Sequence, residues 1–233
     1  MSRHALLGCL VSVTAILGCG GADPSVTAAG DGGASDAGAR PAVAQVAHPA
    51  RYATSVISYT QGDGGGYGSD QLPWIIQGPP EGGGCCAGST DVLSLGNGGE
   101  VVIGFDVEIV DGDGPDLIVF ENPFEIANDP KNVFYELGEV SVSEDGQTWT
   151  PFPCDPSSGL PFGTCAGWRP VYATPTDPVD VTDSARAGGD PFDLSLIGVK
   201  RARYVRIRDL RTDRPAADGT AGFDLDAIAV LHW

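Results

Sequence analysis

Asp111-Gly-Asp-Gly-Pro-Asp-Leu-Ile-Val-Phe-Glu-Asn122 joins an acidic turn to a short apolar run, and the secondary structure expected of the chain follows from it. Glycine and proline supply the special backbone angles of a turn. The run Leu117–Phe120 is too short for a helix between such breakers, so it predicts a buried strand with acidic ends. Carboxylates at the ends of a rigid strand form either a hard-cation site or a solvated turn.

The sequence on both sides repeats this pattern of short apolar segments between turns. Val92–Leu95 and Val101–Phe105 flank Gly96-Asn-Gly-Gly99, a segment that predicts a hairpin. Similar segments follow at Val140–Ser143, Trp149–Phe152, Tyr204–Arg208 and Leu225–Leu231. No helical stripe longer than about two turns occurs, so the sequence predicts an all-β, antiparallel β-sandwich and argues against an α/β fold.

The composition limits the partners that the protein can have. The chain has 13 basic and 31 acidic residues, and its formal net charge is −18. This sign argues against a nucleic-acid partner, because binding phosphates requires positive charge. The 34 glycines and 18 prolines fit a turn-rich β protein, and the acidic charge suits an exported, soluble, cation-tolerant one.

The N-terminus predicts export and a lipid anchor in the cell envelope, at the outer membrane or cell surface. Ala5–Leu17 is apolar, and Ile16-Leu-Gly-Cys19 resembles the lipobox of bacterial lipoproteins, in which the cysteine is lipidated. We therefore expect a lipoprotein signal peptide over residues 1–19 with Cys19 lipidated, a flexible tether over 20–47 and a folded domain over 48–233. An ordinary signal peptide is the alternative.

Four further cysteines lie within the expected domain, and export permits disulfides between them. Cys154 and Cys165 flank a Pro/Gly/Ser loop, which predicts a bridge that closes it. Cys85 and Cys86 form an adjacent pair that is either bonded or free. The spacing of the four cysteines together is not that of a common zinc motif, and no histidine lies near any of them.

Two segments resemble the discoidin, or galactose-binding-like, jelly-roll superfamily: Glu139-Val-Ser-Val-Ser-Glu-Asp-Gly-Gln-Thr-Trp149 and Ala202-Arg-Tyr-Val-Arg-Ile207. A closer resemblance, over about residues 53–233, is to a family of uncharacterised bacterial cell-surface proteins. It rests on the motifs at Ser94–Gly99, Asp111–Asn122 and Gly222–Ala227. The resemblance implies a jelly-roll β-sandwich at the cell surface, and it implies no particular activity.

Acidic residues in the Asp111–Asn122 segment and in the last predicted strand suggest a calcium site. Asp224 and Asp226 are two apart, so we expect both to point to one face of that strand. Asp226 also matches the last-strand aspartate that holds a structural calcium in some carbohydrate-binding jelly rolls. Since Ca²⁺ takes six to eight oxygen ligands, the predicted set combines the two segments: Asp111, Asp113, Asp116, Glu121, Asp224 and Asp226.

A solvated acidic edge is one alternative to this calcium site, and pairing of its carboxylates with basic residues is another. Seven of the thirteen basic residues crowd one segment, where they are expected to pair with carboxylates across the sheet: Lys200, Arg201, Arg203, Arg206, Arg208, Arg211 and Arg214.

The expected function is a calcium-stabilised, non-catalytic binding or adhesion module. Trp74 and Trp168 are candidate contacts for a glycan, although both can simply cover the ends of the sandwich. The expected partners are the membrane, through the lipid anchor, and a cell-surface polysaccharide or another envelope protein. No His-dependent triad and no G-x-S-x-G motif is present, so catalysis is not expected. The alternatives are a secreted glycan-processing enzyme that uses paired carboxylates and a purely structural envelope protein.

Overall fold

The computed structural model describes residues 51–174, 176–177, 179–211 and 220–233, and within them the regular structure is almost entirely β. The short helices are α1 (Ser184–Ala187) and 3₁₀ turns at Ser69–Gln71, Trp74–Ile76, Ile126–Asn128 and Leu194–Ile197. The strands are β1 (Ser55–Thr60), β2 (Leu93–Ser94), β3 (Glu100–Val110), β4 (Leu117–Phe120), β5 (Phe124–Glu125), β6 (Val133–Phe134), β7 (Gly138–Ser143), β8 (Thr150–Pro151), β9 (Asp190–Phe192), β10 (Arg201–Asp209), β11 (Asp224–Leu225) and β12 (Ala227–Val230).

The strands form an antiparallel sandwich, as the sequence predicts. A five-stranded sheet has the order β1-β3-β10-β7-β8, and a three-stranded sheet has the order β12-β4-β9. Alternate residues of the larger sheet, among them Ile103 and Val205, share one buried core with Leu117 and Val119 of β4. The period-2 pattern of β3 and β10 therefore marks the face of the larger sheet that meets the smaller one.

Strand β4 is buried on both faces, which explains why its sequence is continuously apolar. Leu117 and Val119 face the main core, whereas Ile118 and Phe120 belong to a second cluster with residues such as Val171. The prediction of a buried strand is confirmed. Because both faces of β4 are covered, the acidic residues at its two ends are held inside the protein.

The predicted hairpin between Val92–Leu95 and Val101–Phe105 is wrong. Strand β2 pairs with β11, and β3 pairs with β1 and β10. The N–H groups of Leu95 and Gly96 donate to the carbonyls of Phe223 and Ala221, at 2.9 and 2.8 Å. The C-terminal segment therefore takes the backbone bonds that a hairpin would use, and the glycine segment carries the chain to the larger sheet.

The Cys154–Cys165 disulfide is confirmed, and Cys85 and Cys86 are also bonded to each other. No helix in the described part of the chain has the length and apolar character needed to span a membrane. The signal peptide, the lipidation site Cys19 and the tether fall outside the described residues, as does Arg214.

Candidate metal centre

The structure places four of the six predicted metal ligands in two groups of carboxylates. Glu121 and Asp224 meet Glu136, and we call these three residues the buried cluster. Asp111 and Asp116 meet Asp193, and we call those three the turn cluster. In each cluster the carboxylate oxygens that converge lie within 4.8 Å of one another. Either arrangement of carboxylates can hold a metal ion.

The buried cluster is assembled from three separate segments. Glu121 directly follows β4, Glu136 precedes β7, and Asp224 begins β11. Backbone donors orient the side chains: the Asp224 N–H donates to Glu121 Oε1 at 3.0 Å, and the Gly222 N–H donates to Glu136 Oε1 at 3.1 Å. These bonds hold like charges together that would otherwise separate.

Two carboxylate oxygens of the buried cluster lack partners. Glu121 is 3% exposed, and its Oε2 atom has no hydrogen bond among the described residues. Asp224 Oδ1 and the hydroxyl of Ser94, which is paired with Asp224 across β2 and β11, are also buried without a well-aligned hydrogen bond. The side chains of Ser94 and Asn122 nevertheless lie near enough to the Asp224 carboxylate to lower its pKa in part. A buried charge without a partner is costly, so these oxygens require either a proton or a cation.

The electrostatics of the buried cluster also indicate that its carboxylates need a proton or a cation. Burial raises the pKa of Glu121 well above its ordinary value, and repulsion from Asp224 raises that pKa further. Burial also raises the pKa of Asp224 to about 6. Among the described residues, neither of these two carboxylates has a basic partner. The field at this point of the fold therefore favours binding a positive charge.

The turn cluster is different, because its central carboxylate is already satisfied. Asp116 is fully buried, and its Oδ1 accepts the Gly112 N–H at 2.8 Å and lies 2.9 Å from His232 Nδ1. Its Oδ2 accepts the Leu194 N–H at 2.8 Å. Asp116 therefore acts as a hydrogen-bond hub that ties the Asp111–Asn122 turn to neighbouring segments.

The outer members of the turn cluster also have partners. Lys200 Nζ donates to Asp111 Oδ2 and forms an ion pair with it. Asp193 accepts the Ser195 N–H at 2.8 Å and caps the 3₁₀ turn that begins at Leu194. Since Lys200 and the backbone N–H of Ser195 supply the charge and the hydrogen that a cation would replace, the turn cluster is the weaker candidate.

Two of the predicted ligands lie outside both clusters. Asp113 is exposed at the tip of the turn. Asp226 is buried, and both its oxygens accept the Glu81 N–H at 3.1 Å. Strand β11 ends at Leu225 and β12 begins at Ala227, so the strand is interrupted at Asp226 and the same-face argument does not apply there.

Glu136 is the member of the buried cluster that the sequence argument missed. It is 7% exposed, and it lies between Tyr135 and Leu137, just before β7. An acidic residue inside an apolar run next to a strand was the available signal. Sequence spacing alone gave no reason to connect it with Glu121 and Asp224.

The basic residues of β10 pair with carboxylates of neighbouring strands, as predicted. Arg201 and Arg203 contact Glu108 at 3.6 and 3.3 Å. Arg206 and Arg208 contact Glu100 at 3.9 and 2.8 Å, and Arg208 also lies 4.0 Å from Glu139. Among the described members of the expected basic set, Lys200 is the residue seen to reach a predicted metal ligand, and that ligand belongs to the turn cluster.

The two candidate glycan contacts differ in exposure. Trp74 is 67% exposed, and the next two residues of its 3₁₀ turn, Ile75 and Ile76, are buried beneath it. Trp168 is partly buried, and the Arg169 guanidinium lies 4.7 Å from the centre of its ring. Trp74 is therefore the more accessible aromatic surface.

Comparison with known proteins found neither a matching family model nor a matching curated protein. The fold and this site are therefore the features that bear on function. Together they define an all-β sandwich with buried carboxylates that can hold a metal ion.

Proposed function

We propose that this protein is a lipid-anchored cell-envelope β-sandwich of the jelly-roll type, acting as a non-catalytic binding or adhesion module and stabilised by Ca²⁺. The N-terminal lipobox and the resemblance to bacterial cell-surface proteins support the location. One observation carries the calcium proposal: Glu121 and Asp224 each hold a buried carboxylate oxygen without a partner in the described part of the chain.

The donor set of the buried cluster favours calcium over other common cations. All its candidate ligands are oxygens, which hard cations prefer, whereas zinc is commonly held by nitrogen and sulfur. Magnesium demands a small, nearly ideal octahedral shell, and it is reluctant to lose its water. Calcium accepts irregular cages, and carboxylates from three independent segments form such a cage.

The burial of the cluster supports a structural role for the cation and argues against catalysis. A glycan-processing enzyme needs its acid and base within hydrogen-bond reach of the substrate. Glu121 is only 3% exposed, so a sugar cannot approach it in this conformation. Binding is therefore assigned to the surface, where the exposed ring of Trp74 offers a stacking platform for a cell-surface polysaccharide or an envelope protein.

Thermal melting of the detergent-solubilised full-length protein in EDTA, calcium and magnesium tests the proposal. A cation that binds only the folded state at 100 times its Kd stabilises that state by about 2.7 kcal/mol. We expect calcium to raise the Tm accordingly and magnesium to raise it less. Glu121→Gln should abolish the calcium response, because the amide cannot supply the missing charge.

Asp113→Asn is the matched control, since it removes one exposed carboxylate from the same acidic segment and should leave the calcium response intact. Identical wild-type melting in EDTA and calcium would exclude the site. A glycan array with wild type and Trp74→Ala then separates a polysaccharide-binding module from a purely structural envelope protein.

A further inference from the structure

A different set of metal-binding atoms lies beside the hairpin of β5 and β6. The sulfur atoms of Cys85 and Cys86 and a carboxylate oxygen of Glu125 lie within 4.8 Å of one another. We infer that these residues form a site for a thiophilic divalent cation, such as Zn²⁺ or Cd²⁺, once the bond between the two cysteines is reduced.

The backbone before the cysteines is anchored independently of their disulfide. The Glu125 N–H donates to the Cys85 carbonyl at 2.7 Å, which holds the carboxylate segment against the cysteine segment. The Gly84 N–H donates to the Val171 carbonyl at 3.1 Å. Because neither bond involves sulfur, we expect both to persist after reduction.

The backbone after the cysteines is anchored as well. The Ser89 N–H donates to Asn122 Oδ1, and Asn122 Nδ2 donates back to the Ser89 carbonyl at 3.1 Å. The Ser89 hydroxyl donates to the Glu81 carbonyl at 2.8 Å and closes the loop on itself. The reduced loop should therefore keep its path, with both thiols near Glu125.

The Glu125 carboxylate is free to act as a ligand. Among the described residues it makes no hydrogen bond or ion pair. Its backbone is nevertheless fixed, since Glu125 pairs with Val133 across the hairpin, and the rings of Phe124 and Phe134 stack at 5.2 Å. A ligand on a fixed backbone loses little freedom when it binds a metal.

The chemistry balances with a dithiol reductant. That reductant gives two electrons and two protons to the Cys85–Cys86 bond and becomes a disulfide itself. Binding of M²⁺ then displaces the two thiol protons. Two thiolates and one carboxylate select zinc or cadmium over calcium and magnesium, and three protein ligands leave a fourth position for water.

The other disulfide of the domain is an internal control. Cys165 is 1% exposed and packs with Leu137 and Phe162. In the described part of the chain, neither Cys154 nor Cys165 belongs to a group of convergent metal ligands. Reducing this bridge should therefore release thiols without creating a comparable site.

Cadmium titration of the full-length protein tests the inference. The protein is reduced with a phosphine, its thiols are counted, and thiolate-to-cadmium charge-transfer absorption is followed in calcium-free buffer. Reduced wild type should bind cadmium tightly, and oxidised wild type should not. The Cys85→Ser/Cys86→Ser variant should show only the background of the remaining cysteines. Cys154→Ser/Cys165→Ser should bind as wild type does.

Glu125→Gln tests the carboxylate and should weaken cadmium binding at least about 10-fold, as losses at metal-supporting residues do. Glu144→Gln, an exposed residue elsewhere, is its matched control. The single variant Cys86→Ser should also lose tight binding, and circular dichroism checks that each variant is folded. Equal binding by reduced wild type and the Cys85/Cys86 double variant would overturn the inference, as would wild-type affinity in Glu125→Gln. Neither result depends on the calcium site.

Discussion

The buried cluster and the turn cluster each contain three carboxylates within the same distance of one another, yet they are different kinds of site. In the turn cluster, Asp116 receives backbone N–H groups and contacts His232, and Asp111 is paired with Lys200. In the buried cluster, Glu121 and Asp224 keep oxygens that nothing in the described chain satisfies. Proximity of acids is therefore a poor guide to a cation site, and the supply of hydrogens and positive charge around them is a better one.

The largest expected effect separates the two clusters by the sign of the change in stability. Asp116→Ala leaves the buried N–H of Leu194 and the N–H of Gly112 without acceptors, at about 1–3 kcal/mol for each. We expect it to lower the free energy of unfolding by about 3 kcal/mol or more in EDTA. Glu121→Gln in EDTA should be neutral or stabilising, because it replaces a group whose charged form is disfavoured by burial and by Asp224, and it keeps an acceptor for the Asp224 N–H.

Urea unfolding at neutral pH measures both variants, with an unchanged m-value as the check that the midpoint shift reflects stability. Asp116→Ala should keep the calcium response that Glu121→Gln loses. Similar destabilisation by the two substitutions would mean that the buried cluster is a satisfied hub as well.

The sequence allowed the strands and the local disulfide to be predicted, because both depend on short-range patterns. The Leu117–Phe120 strand between Gly/Pro breakers and the Cys154–Cys165 loop are examples. The predicted hairpin at Gly96–Gly99 was wrong because turn residues do not say which strand lies alongside. The strand that lies beside β2 is β11, which is more than a hundred residues further along the chain.

The site was predictable only in part, for the same physical reason. The structure brings Glu121 and Asp224 together, but Asp116 lies at the opposite end of β4 from Glu121, in another cluster. Glu136 was missed because its role depends on tertiary contact alone. Asp226 was placed with Asp224 by strand alternation, which the break between β11 and β12 interrupts.

The pH dependence of stability gives an intermediate effect that sharpens the comparison. Burial raises the pKa values of Glu121 and Asp224, and it raises that of Asp224 to about 6. Above pH 4 these two carboxyl groups therefore lose their protons in the unfolded chain at a lower pH than in the folded protein. The folded state then holds more protons, and the free energy of unfolding falls as pH rises towards those pKa values and levels off above them. In EDTA this fall should amount to a few kcal/mol, since each tenfold change in proton affinity is worth about 1.4 kcal/mol.

Saturating calcium should remove the decrease in unfolding free energy that comes from Glu121 and Asp224, because the cation replaces their protons. In EDTA, Glu121→Gln should make this decrease smaller. Asp190 supplies the control: burial raises its pKa to about 7, so it contributes a fall of the same sign that calcium should leave unchanged. Asp190→Asn should remove the part of the pH-dependent decrease in unfolding free energy that remains in calcium. A pH profile that calcium does not alter would assign the raised pKa values to burial alone and leave the buried cluster without a cation.

The smallest expected effect concerns the exposed partner of the turn cluster. Lys200 is 78% exposed in its pair with Asp111, and exposed ion pairs contribute little to stability. Lys200→Met should therefore leave the Tm in EDTA unchanged within error, as should Arg203→Met, which removes a comparable pair with Glu108. Isothermal titration should find the same calcium stoichiometry in both variants as in wild type, since Asp116 still directs its oxygens to backbone donors and His232. A second calcium bound only by Lys200→Met would show that the lysine, and not the hydrogen bonds on Asp116, keeps a cation out of the turn cluster. In that case the difference between the clusters would be one of charge pairing alone.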